Sequence, residues 1–299
     1  MGIFIYRDVA NMATIIDGRK IAQDIRRDVK ETARILKDSK GIVPGLAVVL
    51  VGDDPASAMY VRGKRNDCED VGFLSRQYDL SGDADEKALL ELVHELNRDA
   101  AIHGILVQLP LPRQIRSEII IESIAPHKDV DGFHPINIGR LVAGQPALRP
   151  CTPAGVMEML DRTGIPIEGK EAVIVGRSNI VGKPMALMLL ARHATVTICH
   201  TRTRNLPEVT RRAEILVAAA GKPGMITATM VHEGAAVIDV GMNRLPDGKL
   251  VGDVCFEEVA RKASYISPVP GGVGLMTRAM LMKNTLQAAA YLSGPMHPE

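Results

Sequence analysis

Residues 172–184, AVIVGRSNIVGKP, combine a strand, a glycine turn and the start of a helix. Residues 172–175 are small or β-branched, which is typical of a strand buried in a parallel sheet. Gly176 ends this strand, and Pro184 suits the first turn of a helix, where its missing N–H costs nothing. Because backbone N–H groups at such a helix start bind anions, the stretch predicts a phosphate-binding turn; an ordinary tight turn is the alternative.

The next strand ends in a segment that indicates which cofactor would bind. His200 lies 24 residues after Gly176, where a Rossmann fold places the residue that reads the ribose. An NAD site would have Asp or Glu there, whereas residues 200–204 read HTRTR. Hydroxyl and guanidinium groups suit a 2′-phosphate, so the segment favours NADP; a solvated basic turn is the alternative. The glycine pattern is unusual, since Gly176, Ser178 and Gly182 give G-x-S-x-x-x-G instead of G-x-G-x-x-G.

Composition and charge exclude several classes of protein. The 299 residues carry a net charge of +1, only 3% are aromatic and Trp is absent, which argues against binding to nucleic acid or to an anionic membrane. Four cysteines without a C-x-x-C pair and eight histidines without H-E-x-x-H spacing predict a cytoplasmic protein with reduced thiols and no metal. We treat residues 1–11 as a possible extension, because the regular pattern begins at Met12.

Strands and helices alternate along the chain, which predicts α/β architecture with parallel sheets, and the length favours two domains. Up to residue 150 we predict strands at 46–52, 76–80 and from Gly104, helices at 21–36, 55–72, 84–97 and 115–124, and a long loop at 127–141. Beyond it we predict strands at 172–176, 194–200, 214–221, 235–241 and 265–270, with helices from Cys151 and Pro184, up to Ala213, through Val259 and at 275–292.

Four polar residues of the first half could converge on one ligand. Tyr60 and Lys64 are four apart on a predicted helix, so they share a face. Gln108 and Asp131 follow the ends of a strand and a helix, and ligands of parallel-sheet folds bind at such an edge. Plainer interpretations stay open at this point: Tyr60 and Lys64 could be a surface pair, and Asp129 and Asp131 could be turn formers.

Several long motifs in a fixed order carry a resemblance to one enzyme family. They are SAMYVRGK (57–64), VQLPLP (107–112), KDVDGFHPINIGRL (128–141), PCTPAGV (150–156), GRSNIVGKP (176–184), DVG with Asn243 and Arg244, and PGGVG (270–274). Over residues 13–292 the chain resembles the bifunctional methylenetetrahydrofolate dehydrogenases/methenyltetrahydrofolate cyclohydrolases. The resemblance implies two α/β domains flanking a cleft. A parallel-sheet catalytic domain would span 1–150 and 275–299, with the last helix packing back on it, and a Rossmann-type NADP-binding domain would span 151–274.

The resemblance also implies two reactions of folate one-carbon metabolism. The dehydrogenase passes a hydride from 5,10-methylenetetrahydrofolate to NADP, and the cyclohydrolase opens the methenyl product to 10-formyltetrahydrofolate. By analogy with the family, Lys64 is the central acid/base or polarising group, and Gln108 holds and tunes it. Tyr60 would stack on the aminobenzoyl ring, and Asp131 would bind the pterin. Further substrate contacts would come from Ser57, Gly271, Gly272 and Gly274.

On the cofactor side, the resemblance places Gly176, Arg177 and Ser178 on the phosphate-binding turn. Thr201 would help to hold the 2′-phosphate, and Met242 would touch the cofactor. The family further suggests a homodimer. Its other partners would be tetrahydrofolate one-carbon derivatives.

Two positions depart from the family pattern, and three rival functions follow from the sequence. Leu275 stands where the family usually has Pro, and Asn66 where a second lysine is common. The rivals are a dehydrogenase with weak or lost cyclohydrolase activity, a nicotinamide-binding regulatory protein without catalysis, and a 2-hydroxy-acid dehydrogenase. The set of Tyr60, Lys64 and Gln108 argues against the first two, although Leu275 leaves the first of them open. The third would want a His or Arg catalytic set that the sequence does not offer.

Overall fold

The computed structural model describes residues 12–292 and 294, and of Ala56 the backbone alone. Up to residue 163 its elements are β1 (Thr14–Ile15), α1 (Gly18–Lys40), β2 (Gly45–Val51), α2 (Pro55–Val71), β3 (Leu74–Leu80), α3 (Glu86–Arg98), β4 (Gly104–Val107), α4 (Ser117–Ser123), α5 (Pro135–Val142) and α6 (Cys151–Thr163). The remaining elements are β5 (Glu171–Val175), α7 (Gly182–Leu190), β6 (Thr195–Cys199), α8 (Leu206–Thr210), β7 (Ile215–Ala218), β8 (Ala236–Asp239), β9 (Asn243–Arg244), β10 (Leu250–Val251), α9 (Phe256–Val259), β11 (Tyr265–Ile266) and α10 (Val273–Leu292), with a short 3-10 helix at Ala228–Met230.

The elements form two compact units. Among the described residues, the first unit comprises 20–155, 276–292 and 294, and the second comprises 12–19 and 156–275. The possible extension over residues 1–11 lies outside the described residues, as do 293 and 295–299. Within the described ranges, no helix combines the length and the apolar character that a membrane span requires.

The first unit is built on a three-stranded parallel sheet in the order β3-β2-β4. The central strand β2, GLAVVLV, is buried along its whole length, as a strand flanked on both faces must be. One face of the sheet packs on apolar side chains of α3 and α4, among them Leu89, Val93 and Ile120. Since the strands are parallel, the start of α2 lies at the same edge of the sheet as Gln108, the residue that follows β4.

The second unit contains a six-stranded parallel sheet in the order β1-β11-β8-β7-β5-β6. From β5 the chain runs first to β6 on one side and then to β7 on the other, so the strand order reverses beside β5. Ligands of doubly wound folds bind at the carboxyl end of the strands at such a point. The parallel-sheet architecture predicted from the alternation of strands and helices, and the Rossmann-type unit implied by the family resemblance, are therefore confirmed.

One predicted loop contains a helix. The sequence predicts a loop over 127–141, but Pro135–Val142 form α5. Pro135 occupies the first turn, and Nδ1 of His134 accepts the backbone N–H of Ile136 at 3.0 Å, which caps the helix start. In this segment the proline therefore marks where a helix begins, and it does not indicate that a helix is lacking.

The structure groups two short segments differently from the predicted domain boundaries. Thr14–Ile15 pairs in parallel with Tyr265–Ile266, so the chain before α1 extends the sheet of the second unit. Residues 151–155 group with the first unit, because the Cys151 N–H donates to the Asp131 carbonyl and Gly155 packs against Met276. A two-residue strand carries no periodicity, which explains why the sequence does not reveal β1.

Candidate active site

Lys64 is a buried amine held by a side-chain amide. The residue is 9% exposed, and its Nζ donates to Oε1 of Gln108 at 2.9 Å. Nε2 of Gln108 donates in turn to the carbonyl of Leu109 at 2.7 Å, which turns the amide oxygen toward the amine. The structure therefore brings together two residues that are 44 positions apart in the chain.

The charges around Lys64 shift its pKa. Burial lowers the pKa of Lys64 below its ordinary value because desolvation disfavours the ammonium. Asp131 and Cys151 raise this pKa, and the positive charge of Arg278 lowers it. Burial raises the pKa of the Asp131 carboxyl to about 6, although the Lys64 charge opposes this shift. The pKa values of this amine and this carboxyl are thus displaced toward each other, which is the arrangement expected of groups that exchange protons.

The two aspartates of the segment after α4 have different environments. The Asp129 carboxylate accepts the backbone N–H groups of Phe133 (3.2 Å) and His134 (2.8 Å) and Nδ2 of Asn137 (2.9 Å). Asp129 is therefore a turn former, the plainer of its two sequence interpretations. The half-buried Asp131 is coupled to the Lys64 charge instead, which makes it the candidate for ligand binding.

Ser57 and Tyr60 lie on the same helix as Lys64. The spacing of the three residues, i, i+3 and i+7, places them along one face of α2. The helix start is fixed, because Oδ2 of Asp54 accepts the Ser57 N–H at 2.7 Å and Pro55 fills the first turn. Ser57 is buried and Tyr60 is half-buried.

Two polar residues of α10 contact the site, and the sequence did not reveal them. Nδ2 of Asn284 donates to the carbonyls of Val130 (2.8 Å) and Arg149 (2.9 Å), which ties the Asp131 segment to α10. The guanidinium of Arg278 reaches α2 beside Lys64. The available signal was a polar side chain within a largely apolar helix, which suggests a buried partner.

In the second unit, the turn after β5 requires glycine at two positions. A Cβ at Gly176, whose φ is 137°, would meet the Ala219 carbonyl, and a Cβ at Gly182 would collide with the Gly176 carbonyl. The Ser178 hydroxyl accepts the N–H groups of Val181 (3.1 Å) and Gly182 (3.3 Å), so it caps α7 from within the turn. Residues 177–180, Arg177 among them, stay exposed around this close backbone approach, which fits a nucleotide pyrophosphate.

The basic segment after β6 forms a fixed turn with exposed side chains. The Thr203 hydroxyl accepts the His200 N–H at 2.8 Å, and Nδ1 of His200 accepts the Arg202 N–H at 3.1 Å. Thr201, Arg202 and Arg204 are exposed. The turn thus offers one hydroxyl and two guanidinium groups at the carboxyl end of the strand next to β5, as a 2′-phosphate would need.

Two buried carboxylates fix the loops that follow β7 and β8. Asp253 accepts the consecutive N–H groups of Ala220 (2.6 Å), Gly221 (2.9 Å) and Lys222 (2.9 Å), together with Nδ2 of Asn243 (2.9 Å). Asp239 accepts the N–H groups of Gly241, Asp253 and Val254, and burial raises its pKa to about 6. Both loops leave the same edge of the sheet as the glycine turn, so these carboxylates hold the walls around it.

The remaining candidate residues lie in or next to these loops. Met242 follows the Asp239 loop and is 43% exposed, and its Cε lies against Gly274. Gly271 and Gly272 precede α10, where Gly272 packs on Gly18. Within the described residues, no cluster of three His, Cys, Asp or Glu side chains could hold a metal ion.

These features define a class of protein, an α/β enzyme with two parallel-sheet units. The first unit carries a buried lysine–glutamine pair, and the second is a Rossmann-like nucleotide-binding unit. Comparisons with known proteins give the family. Residues 16–131 match the catalytic domain of tetrahydrofolate dehydrogenase/cyclohydrolase, and residues 150–293 match the NAD(P)-binding domain of the same family. The chain belongs to the tetrahydrofolate dehydrogenase/cyclohydrolase family, so the resemblance stated from its motifs is confirmed.

Individual relatives extend over nearly the whole chain. The bifunctional protein FolD of Moorella thermoacetica is 59% identical over 277 residues, which cover 93% of this chain and 99% of the relative. The crystal structure of the bifunctional enzyme FolD from Campylobacter jejuni has a TM-score of 0.91 and 52% identity, covering 93% of this chain and 98% of that one. The Trypanosoma brucei enzyme, solved with NADP cofactor and inhibitor, has a TM-score of 0.89 and 39% identity over 93% and 97% of the two chains.

Proposed function

We propose that this protein oxidises 5,10-methylenetetrahydrofolate to 5,10-methenyltetrahydrofolate with NADP+ and then hydrolyses the product to 10-formyltetrahydrofolate. The observation that carries the proposal is the buried Lys64–Gln108 pair in a chain whose two units match the two domains of the family. Relatives that are 57–59% identical bear the name bifunctional protein FolD. A solved relative carries NADP, the cofactor favoured by residues 200–204.

In the hydrolytic step, Lys64 acts as the general base. Its neutral amine takes a proton from water while the water oxygen bonds to the methenyl carbon. The bond from that carbon to N5 then breaks: the new hydroxyl releases its proton to solvent water as its oxygen becomes the formyl carbonyl, and N5 takes the proton held by Lys64, which leaves the formyl group on N10. Burial supports this role, because it lowers the pKa of Lys64 and so raises the fraction of neutral amine near neutral pH. Gln108 keeps the amine in place through the 2.9 Å hydrogen bond.

Tyr60, Asp131 and Ser57 bind the substrate in this proposal. Tyr60 stacks on the aminobenzoyl ring, and Asp131, whose pKa is raised to about 6, hydrogen-bonds the pterin and adjusts the Lys64 charge. Gly271, Gly272 and Gly274 supply further substrate contacts. The resemblance of the motifs supports these roles, together with the shared helix face of Ser57, Tyr60 and Lys64.

In the oxidative step, the nicotinamide accepts the hydride, and the protein residues bind and orient the cofactor. The backbone at Gly176, Arg177 and Ser178 holds the pyrophosphate, and Thr201 with its basic neighbours holds the 2′-phosphate. Met242, exposed beside Gly274, contacts the cofactor. The loops fixed by Asp253 and Asp239 form the wall of this site.

The family resemblance and the near-neutral charge support a wider setting for the enzyme. It works in the cytoplasm as a homodimer, provides one-carbon units for purine biosynthesis, and binds folate derivatives but neither nucleic acid nor membranes. Light scattering of the purified protein during gel filtration tests the dimer, and a monomer mass at micromolar concentration would contradict it.

The cofactor choice is tested by initial rates of nicotinamide reduction with 5,10-methylenetetrahydrofolate and either NADP+ or NAD+. We expect kcat/KM for NADP+ to exceed that for NAD+ by about tenfold or more, since a charge-assisted hydrogen bond to the 2′-phosphate contributes roughly 1.5–3 kcal/mol. The variant Arg202→Gln should narrow the ratio, whereas Arg261→Gln, an exposed arginine elsewhere in the second unit, should not. Equal rates with both cofactors would contradict the assignment of residues 200–204.

A further inference from the structure

Arg278 of α10 grips α2 on both sides of Lys64. Its Nε donates to Oδ2 of Asp67 at 2.6 Å, and one terminal nitrogen donates to the Gly63 carbonyl at 2.8 Å. The Asp67 side chain is 8% exposed and the Arg278 side chain 26%. A Cβ at position 63 would come within 2.9 Å of the guanidinium carbon, so the arginine lies closely against the backbone there.

These two contacts of Arg278 fix the helical turn of α2 that carries the Lys64 amine. Gly63 precedes Lys64 directly, and Asp67 follows it by three residues, so Arg278 binds both ends of that turn. A partly buried ion pair with fixed geometry is difficult to break, because each partner would leave the other as an uncompensated charge. The position of Lys64 along α2 is therefore tied to α10.

Arg278 also places a positive charge near the amine. The other ionisable groups that face Lys64 are Asp131 in the segment after α4 and Cys151 at the start of α6, both of which raise the pKa of Lys64. The Arg278 charge lowers this pKa. Like charges disfavour each other, so the guanidinium favours the neutral lysine.

We propose that Arg278 is a positioning residue for Lys64: its bonds to Asp67 and Gly63 hold the turn of α2 that carries the amine. The inference rests on the proposed function, since it takes Lys64 as the base of the hydrolytic step. Arg278 itself touches neither substrate nor cofactor in this scheme.

The test compares the full-length parent with Arg278→Met and Arg278→Lys. Two quantities are measured from pH 5 to 10: kcat for methenyltetrahydrofolate hydrolysis, and the rate at which an amine-acylating reagent labels Lys64, read by mass spectrometry. Arg278→Met should move the acidic limb of both curves to higher pH. A shift of one unit would lower the neutral fraction below both pKa values about tenfold. Arg278→Lys should keep the limb near its parental position but reduce kcat, because the bidentate grip is lost.

Arg76→Met is the matched control, since it removes an arginine of the same unit that pairs with Asp99 at 2.5 Å without facing Lys64. Its curves should coincide with those of the parent. If Arg278→Met does not fold, the double variant Asp67→Ala/Arg278→Met is measured instead. Because it removes one charge of each sign, its acidic limb should stay near the parental position while kcat falls with the loss of the bonds to α2.

Curves of folded Arg278→Met that coincide with those of the parent would overturn the inference and leave Arg278 a structural residue. Failure of the proposed function gives a different result. If Lys64→Met retains parental hydrolysis, Lys64 is not the base. The labelling curves of the parent and the Arg278 variants, which retain Lys64, still report whether Arg278 acts on this amine.

Discussion

At the scale of single residues, burial alone does not distinguish a working lysine. Lys64 and Lys128 are both buried in the first unit, and burial lowers the pKa of each. The Lys128 amine donates to the backbone carbonyls of Leu96 (3.0 Å) and Asp99 (2.8 Å), so it holds two chain segments together. Lys64 donates to an adjustable side-chain amide instead and faces Asp131, which is the environment expected of a proton carrier.

The coupling between Asp131 and Lys64 gives a pH prediction. The Asp131 charge raises the pKa of Lys64, so Asp131→Asn should lower that pKa further and enlarge the neutral fraction at a given pH. We therefore expect the acidic limb of the hydrolysis profile to move to lower pH, while folate binding weakens because the proposed contact of Asp131 with the pterin is lost. Rates from pH 5 to 9 and a folate titration measure both effects. The exposed Asp79→Asn is the control, and a limb that stays in place would contradict the coupling.

At the scale of elements, glycine and proline mark much of the fold in the sequence. The strand predicted at 172–176 is β5, and the helices predicted to begin at Pro55 and Cys151 begin there. The sequence did not reveal α5, which begins at Pro135, or β1, whose two residues show no periodicity. The meeting of Lys64 with Gln108 depends on the parallel order of β2 and β4, and the grip of Arg278 on α2 joins residues 211 and 215 positions apart. The first of these contacts could be predicted from the sequence, because Gln108 and the helix that carries Lys64 follow strands that end at one edge of the sheet, whereas local patterns contain no information about the contacts of Arg278.

The glycine turn after β5 provides a prediction about one element. In Gly182→Ala, the added Cβ would collide with the Gly176 carbonyl, so the turn must shift away from its close packing. We expect NADP affinity to fall about tenfold or more and the free energy of unfolding to drop by roughly 1–3 kcal/mol, as overpacking usually costs. Nucleotide titration and urea unfolding measure these effects.

Gly139→Ala is the control for that variant. A Cβ at Gly139 in α5 meets nothing within 4 Å, and alanine is the better helix former by roughly 0.5–1 kcal/mol. This control should bind NADP normally and be at least as stable as the parent. Unchanged NADP affinity in Gly182→Ala would show that the cofactor does not use this turn.

At the scale of the whole molecule, each of the two units has a chemical task of its own. The second, Rossmann-like unit contains the glycine turn after β5 and the basic residues 200–204. The first unit contains Lys64 and its partners. Loss of Lys64 should therefore affect hydrolysis far more than nucleotide binding. One departure from the family pattern, Leu275 in place of proline, follows the loop before α10. Its N–H donates to the Gly272 carbonyl at 3.3 Å, a bond that the usual proline could not make, yet it leaves the Lys64–Gln108 pair intact.

The most direct test follows nicotinamide reduction and methenyltetrahydrofolate together, by absorbance at two wavelengths, in the parent, in Lys64→Met and in the exposed-lysine control Lys87→Met. We predict that the parent and the control reduce NADP+ with little methenyl accumulation. Lys64→Met should bind NADP normally but lose enzymatic hydrolysis, so that preformed methenyltetrahydrofolate decays at the uncatalysed rate. A parental rate of hydrolysis in Lys64→Met would contradict the role of Lys64. Accumulation of methenyltetrahydrofolate by the parent itself would contradict the cyclohydrolase activity and show that the protein is only a dehydrogenase.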